Sequence, residues 1–154
     1  MSDQLFIGID SGTQGTKGVV FSRDDGRIQA EAYTDHQLIE NIGGRREQKP
    51  EWWIDACSNV IGQLLNNSNV SRDMICAIGV SGQQHGMVPL DARGDVIRPA
   101  KLWCDTETAP QCGQITDHIG SPAKVIELIG NSVAAGFTAS KILWLKQNEP
   151  QNYE

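Results

Sequence analysis

The chain has 154 residues, 39% of them apolar and 21% charged, with a net charge of -6; this is the profile of a soluble globular domain long enough to bury a core. The excess of 19 acidic over 13 basic residues argues against a nucleic-acid groove as the main surface, because phosphate backbones demand surplus cations. No stretch approaches the ~20 apolar residues that span a bilayer, and the polar start at Met1–Gln4 lacks the basic region of a secretion signal.

Leu5–Asp10 is a short apolar run ending in an acid and reads as a strand buried on both faces. Ser11–Thr16 is rich in glycine and hydroxyl groups, the chemistry of a turn. Lys17–Ser22 reads as a second strand, Asp24–Asp25–Gly26 as a hairpin turn and Arg27–Thr34 as a third strand. Asn41–Gln48 reads as loop. Pro50 and Glu51 suit a first helical turn, and Trp53, Ala56, Cys57, Val60, Ile61 and Leu64 repeat at helical spacing, so a helix is expected over 50–66, ended by Asn66–Asn69. Ile75–Ser81 is expected to be a central strand, with a loop at Gly82–Gly86, a short strand at Met87–Leu90 and a turn at Asp91–Gly94. Ala100–Trp103 is a short apolar segment. Helices are expected over Thr106–Ile119, Pro122–Ile129 and Thr138–Asn148, the last with Thr138 as its N-cap.

The densest chemistry lies in Asp10-Ser-Gly12-Thr13-Gln14-Gly15-Thr16-Lys17. Gly12 and Gly15 allow positive φ angles and close backbone approach to a ligand, and successive N–H groups in such a turn can hold phosphate oxygens. Thr13 and Thr16 add hydroxyl donors. Asp10 can hold water around a Mg²⁺ ion, and Lys17 either neutralises phosphate charge or is solvated. A plain hairpin would use the same glycines. For the bare motif the hairpin reading would win; the phosphate-binding reading gains from the fold that the resemblance below implies, which keeps its first phosphate loop between its opening strands.

Five segments in order carry a resemblance. Ile7-Gly-Ile-Asp10-Ser-Gly-Thr13, Glu47-Gln-Lys-Pro-Glu-Trp52-Trp53, Gly79-Val-Ser-Gly82-Gln83-Gln84-His85-Gly86, Leu102-Trp103-Cys104-Asp105 and Gly136-Phe137-Thr138-Ala-Ser-Lys141-Ile-Leu-Trp144 resemble motifs of the FGGY carbohydrate kinase family, and within it those of the xylulokinases. The loop at Gln83-Gln84-His85-Gly86 has Gln84 where Met is commoner. Many members carry Arg two residues after the Asp of L-W-x-D; here that residue is Glu107.

The resemblance implies the N-terminal part of a ribonuclease-H-like α/β fold of the actin and hexokinase type, shared by the whole of 1–154. It implies transfer of the ATP γ-phosphoryl group to D-xylulose, giving D-xylulose 5-phosphate, with Mg²⁺ as the metal. Asp10 would position metal and phosphate; Gly12, Thr13, Gln14, Gly15 and Lys17 would line the phosphate site. Gln84 and His85, which can both donate and accept hydrogen bonds, would bind the sugar. Trp103 would stack on the sugar or serve as a core or hinge residue, and Asp105 would bond a hydroxyl or cap the next helix. His36 and His118 read as surface residues, and Lys141 as a solvated helix lysine. The family's catalytic base, an Asp, belongs to a later segment than any present, so this chain alone is expected to be nearly inactive. It should leave a sheet edge uncovered and associate, which leaves room for a homodimer. Cys57, Cys76, Cys104 and Cys112 match neither a zinc nor a redox spacing, so reduced thiols and a cytoplasmic location are expected, with neither nucleic acid nor membrane as partner. Competing readings keep the fold and change the role: a kinase for ribulose or glycerol, a sugar sensor without catalysis, or an actin-like filament protein.

Overall fold

The computed structural model describes residues 4–67 and 70–154. Met1–Asp3, part of the polar start, and Ser68–Asn69, half of the stretch expected to end the first helix, lie outside the described residues. The chain divides into two units, Met1–Gln37 with Glu51–Gln83 and Leu38–Pro50 with Gln84–Glu154.

In the first unit, alternation of apolar side chains fixes which face of each strand is inward. β1 (Leu5–Ser11) buries Leu5, Ile7 and Ile9, while Phe6 and Gly8 on the other face are only half-buried. β1 is therefore covered on one side and not, as its apolar run suggests, on both. β2 (Gly15–Ser22) pairs antiparallel with β1, matching Ile9 to Gly18 and Asp10 to Lys17. β3 (Ile28–Asp35) pairs antiparallel with β2 through the turn at Gly26, whose φ of 70° suits a residue without Cβ. β6 (Ile75–Gly82) lies parallel to β1, giving the order β3-β2-β1-β6. The expected central strand is thus an edge strand among the described residues. Its Val80 is 73% exposed, although it stands opposite buried Ile9.

One helix supplies the cover. α1 (Pro50–Leu65) turns Ala56, Val60 and Leu64 inward at helical spacing, and Val60 and Leu64 join Leu5, Ile7, Ile9 and Val20 in one apolar cluster. Gly18 lets helix and strand meet, since a Cβ there would collide with the Val60 and Leu64 side chains.

In the second unit, the segment expected to be loop contains two short strands, β4 (Ile39–Glu40) and β5 (Arg46–Gln48), and β5 pairs with β7 (Ala100–Lys101). Three residues or fewer per strand leave too little periodicity to read. Met87–Leu90 forms only single bridges, Met87 to Lys101 and Leu90 to Val96. α2 (Ala109–Ile119) starts later than expected because Pro110 suits a first turn. α3 (Pro122–Ile129) is bounded by a Ser121 hydroxyl that accepts from the Lys124 amide at 3.2 Å and by left-handed Gly130. α4 (Thr138–Asn148) begins after Phe137, so Thr138 is its first helical residue and not its cap. No helix among the described residues is long and apolar enough to cross a membrane.

Replacing Gly18 by Ala is expected to cost about 1–3 kcal/mol through overpacking of the β2–α1 contact, read as a lower urea midpoint. A change at the neighbouring exposed Lys17→Ala should leave that midpoint almost unmoved.

Candidate functional site

The β1–β2 turn closes on itself. The Gly12 amide donates to the Gly15 carbonyl at 3.0 Å. Neither glycine has positive φ, contrary to the expectation for both. Gly15 is needed for a different reason, because a Cβ there would meet the Tyr33 hydroxyl and the Thr34 carbonyl at 2.5 and 2.6 Å. Asp10 and Lys17 are exposed neighbours across the ladder and border an open groove of about 520 Å³ floored by Gly8, Gly18 and Gly79. The Thr13 hydroxyl donates to Gln83 Oε1 at 3.2 Å, and the Gln83 amide donates to the Ser11 carbonyl at 3.0 Å. Gln83, not singled out in the sequence, therefore ties the end of β6 to the turn.

Two further residues have other surroundings than expected. Thr16 is fully buried, and its hydroxyl lies 3.2 Å from Ser11 Oγ and 2.9 Å from His36 Nε2. His36 is not a surface residue: its Nδ1 is 3.0 Å from the Gly12 carbonyl and its amide donates to the Gln14 carbonyl at 2.9 Å. Burial holds the His36 ring below the ordinary histidine range, against the pull of Gly12 and Asp35.

In the second unit, Gln84 and His85 are exposed. His85 has φ 59°, the one non-glycine residue in the left-handed region among those described; such backbone costs on the order of 1 kcal/mol and recurs at ligand sites. The His85 ring stands edge-on to Phe137, centroids 4.9 Å apart, and the Thr138 hydroxyl donates to the His85 carbonyl at 3.4 Å. His85 thus meets the segment at Phe137 and Thr138. Trp103 is 50% exposed, and its carbonyl leaves room only for glycine at 136, where a Cβ would lie 2.9 Å away. Lys141 is fully buried, not solvated: its ammonium donates to the carbonyls of Ala135, Gly136 and Phe137 at 3.0, 2.6 and 3.0 Å. Burial lowers its proton affinity.

Asp105 has neither of its expected roles free. It is fully buried; Oδ2 accepts from the Arg46 amide at 2.9 Å and from Lys101 Nζ at 3.1 Å, and Oδ1 from the Glu107 amide at 3.0 Å. The helix cap is Thr108. Lys101, also fully buried, lies 3.0 Å from Glu47 Oε1, contacts Glu107 and faces the Trp144 ring at 4.0 Å. Glu47, Asp105 and Glu107 bring carboxylate oxygens within 4.8 Å of one another, but the Lys101 ammonium already bonds all three, so the cluster does not fit a metal ion. Arg98 bonds Glu47 at 2.7 Å and lies 2.9 Å from Glu149 without hydrogen-bond alignment.

Lys141→Met keeps the apolar stem and orphans the buried carbonyls; a loss of about 2–3 kcal/mol is expected, read by chemical unfolding. Glu107 gives a pH signature. Burial raises its pKa, but Lys101 and Arg45 outweigh that and hold it below the ordinary value of 4.5. Its contribution to stability is therefore complete above about pH 4.5 and is lost as pH falls through the lowered value. Glu107→Gln should flatten the stability curve in that acid window and not near neutrality.

The model of the FGGY family of carbohydrate kinases, N-terminal domain, matches residues 5–154. A xylulose kinase of Haemophilus influenzae is 40% identical over 153 residues, covering 97% of this chain and 31% of that protein. One of Bacillus subtilis is 38% identical over 148 residues, covering 96% and 29%. The crystal structure of a xyloylose kinase from Brucella ovis aligns with TM-score 0.86 at 32% identity, over 97% of this chain and 30% of the other. The chain thus spans about 30% of the length of these relatives. Its mixed α/β fold matches that part of the actin- and hexokinase-like sugar kinase architecture, and the chain belongs to the FGGY family of carbohydrate kinases.

Proposed function

We propose that residues 5–154 are the opening part of the first domain of an ATP-dependent sugar kinase that phosphorylates D-xylulose to D-xylulose 5-phosphate. The observation that carries this reading is His85: an exposed ring kept on a left-handed backbone between Gln84 and Gly86, and braced by Phe137 and Thr138. Folding tolerates such a conformation where a ligand is to be met. The names of the relatives favour xylulose as the sugar.

Gln84 and His85 offer paired donors and acceptors to the hydroxyl and carbonyl groups of a ketose. Trp103 presents half its surface for packing against the sugar. Asp105 acts only indirectly, by holding the loop that carries Trp103. Gly12, Thr13, Gln14, Gly15 and Lys17 line the phosphate side, where backbone N–H groups would stabilise charge, joined by the Thr13 hydroxyl once it turns from Gln83. Asp10 fits a Mg²⁺ site reached through water: its carboxylate is exposed and bonds none of the described side chains. When bound, the ion would screen phosphate charge and orient the transferred group. A base elsewhere in the longer protein would take the hydroxyl proton. Free thiols at Cys57, Cys76, Cys104 and Cys112 suit a cytoplasmic enzyme.

Calorimetric titration with D-xylulose, beside ribulose and glycerol, tests the assignment in this chain and in the longer protein that carries it. Xylulose should bind best, and His85→Ala should weaken binding by about tenfold or more, the loss of a ligand hydrogen bond. Equal or stronger binding of glycerol or ribulose would remove xylulose as substrate. Indifference to His85→Ala would remove the sugar contact.

A further inference from the structure

We propose that His36 is a positioning residue for the phosphate turn: its ring fixes the Gly12–Thr13 peptide and so aims Thr13 at the nucleotide phosphate. The inference rests on the phosphate-binding reading of that turn.

Three bonds hold His36 to the turn. Its amide donates to the Gln14 carbonyl at 2.9 Å, its Nδ1 lies 3.0 Å from the Gly12 carbonyl and its Nε2 2.9 Å from the Thr16 hydroxyl. The proton positions follow from chemistry. A carbonyl oxygen only accepts, so Nδ1 carries the hydrogen; in the neutral ring Nε2 is an acceptor, and the single Thr16 hydroxyl proton goes to it at 2.9 Å rather than to Ser11 Oγ at 3.2 Å. Burial favours this neutral form. Thr16 is itself fully buried and lies 4.0 Å from Cys57 on α1, so the ring is anchored to a side chain that cannot swing away.

The Gly12 carbonyl belongs to the same planar unit as the Thr13 N–H. In a trans peptide the two point in opposite directions, so bonding one to His36 directs the other away from the ring. Glycine at 12 gives this peptide no side chain to restrain it, and a Cβ there would make only ordinary contact, at 3.5 Å. The restraint has to come from outside. The Gly12 amide and the Tyr33 hydroxyl, at 3.0 and 3.2 Å, hold the carbonyls of Gly15 and Gln14, and His36 holds that of Gly12. With the carbonyls of Gly12, Gln14 and Gly15 engaged, donors and acceptors are sorted across much of the turn.

The test uses the longer protein that carries this chain, assayed for ATP-dependent phosphorylation of D-xylulose. His36→Leu should raise KM for ATP about tenfold, the worth of one lost hydrogen bond of positioning, and leave KM for D-xylulose unchanged. His36→Gln, which keeps a donor and an acceptor, should recover most of the loss. The double variant Thr16→Val with His36→Leu removes the hydroxyl whose hydrogen bond to the ring the single change takes away. It should recover melting temperature but not KM for ATP. Recovery of both, or an unchanged KM for ATP in His36→Leu, makes His36 a packing residue and overturns the inference while the kinase reading stands. An unaltered protein that shows no ATP-dependent activity overturns the kinase reading and this inference together.

Discussion

An ammonium ion removed from water must be matched by charge and hydrogen bonds, or the fold that buries it will not form. In the second unit that ion is Lys101. It draws Glu47 from β5, Asp105 and Glu107 from the segment after β7, and the Trp144 ring from α4 into one place. Two strands of two and three residues have little stability of their own. The pairing of β5 with β7 persists because the charges on both are neutralised across it. The same arrangement fixes the loop of Trp103 from behind: Asp105 is held by Lys101 and by two backbone amides, so the exposed indole stands on an immobile base. Lys141 does the equivalent for the loop before α4 by bonding three successive carbonyls. The His85–Phe137 contact then joins two segments, one of which that lysine has already fixed.

The first unit is built on a different principle. Its core is apolar, made where α1 lies on β1 and β2, and its polar work is confined to the turn at one end of the sheet. Gly18 and Gly15 are both demanded by close approach, the first by a helix and the second by a neighbouring strand. Glycine in this unit therefore marks packing as much as it marks a ligand. The bonding of the turn's carbonyls reaches beyond the hairpin, to Tyr33 on β3, His36 just after it and Gln83 just after β6.

What the sequence discloses follows from the range of the forces involved. Strands β1 to β3, α1 and the span of α3 were legible because periodicity and turn chemistry act over a few residues. The order of the motifs made the family legible. His36, Lys101 and Lys141 were not. A histidine after a polar strand, a lysine inside Ala100–Trp103 and a lysine in a helix all read as ordinary surface or segment residues. Their burial depends on partners such as Gly12, 24 positions away, or on a carbonyl cluster that exists only once the loop is formed. β6 failed in another way: its composition is that of a central strand, but strand order is a long-range property, and here it has a single described neighbour.

Glu107 shows how a departure from a family pattern can be absorbed. Many relatives by resemblance have arginine there, which would suggest an altered sugar site. In this chain the position faces the buried charges instead. Lys101 provides a cation beside Asp105, and Glu107 adds a third carboxylate that binds Lys101 and also takes Arg45 at 3.1 Å. Lys101, Arg45 and Arg98 stand against Glu47, Asp105, Glu107 and Glu149, so the cluster is close to neutral and each buried charge has an opposite one in contact. An arginine at 107 beside Lys101 would instead set like charges together out of water, which a fold tolerates poorly. The residues at 45, 101 and 107 are therefore one linked choice. Glu107 belongs to the support of the Trp103 loop, through Lys101 and Asp105.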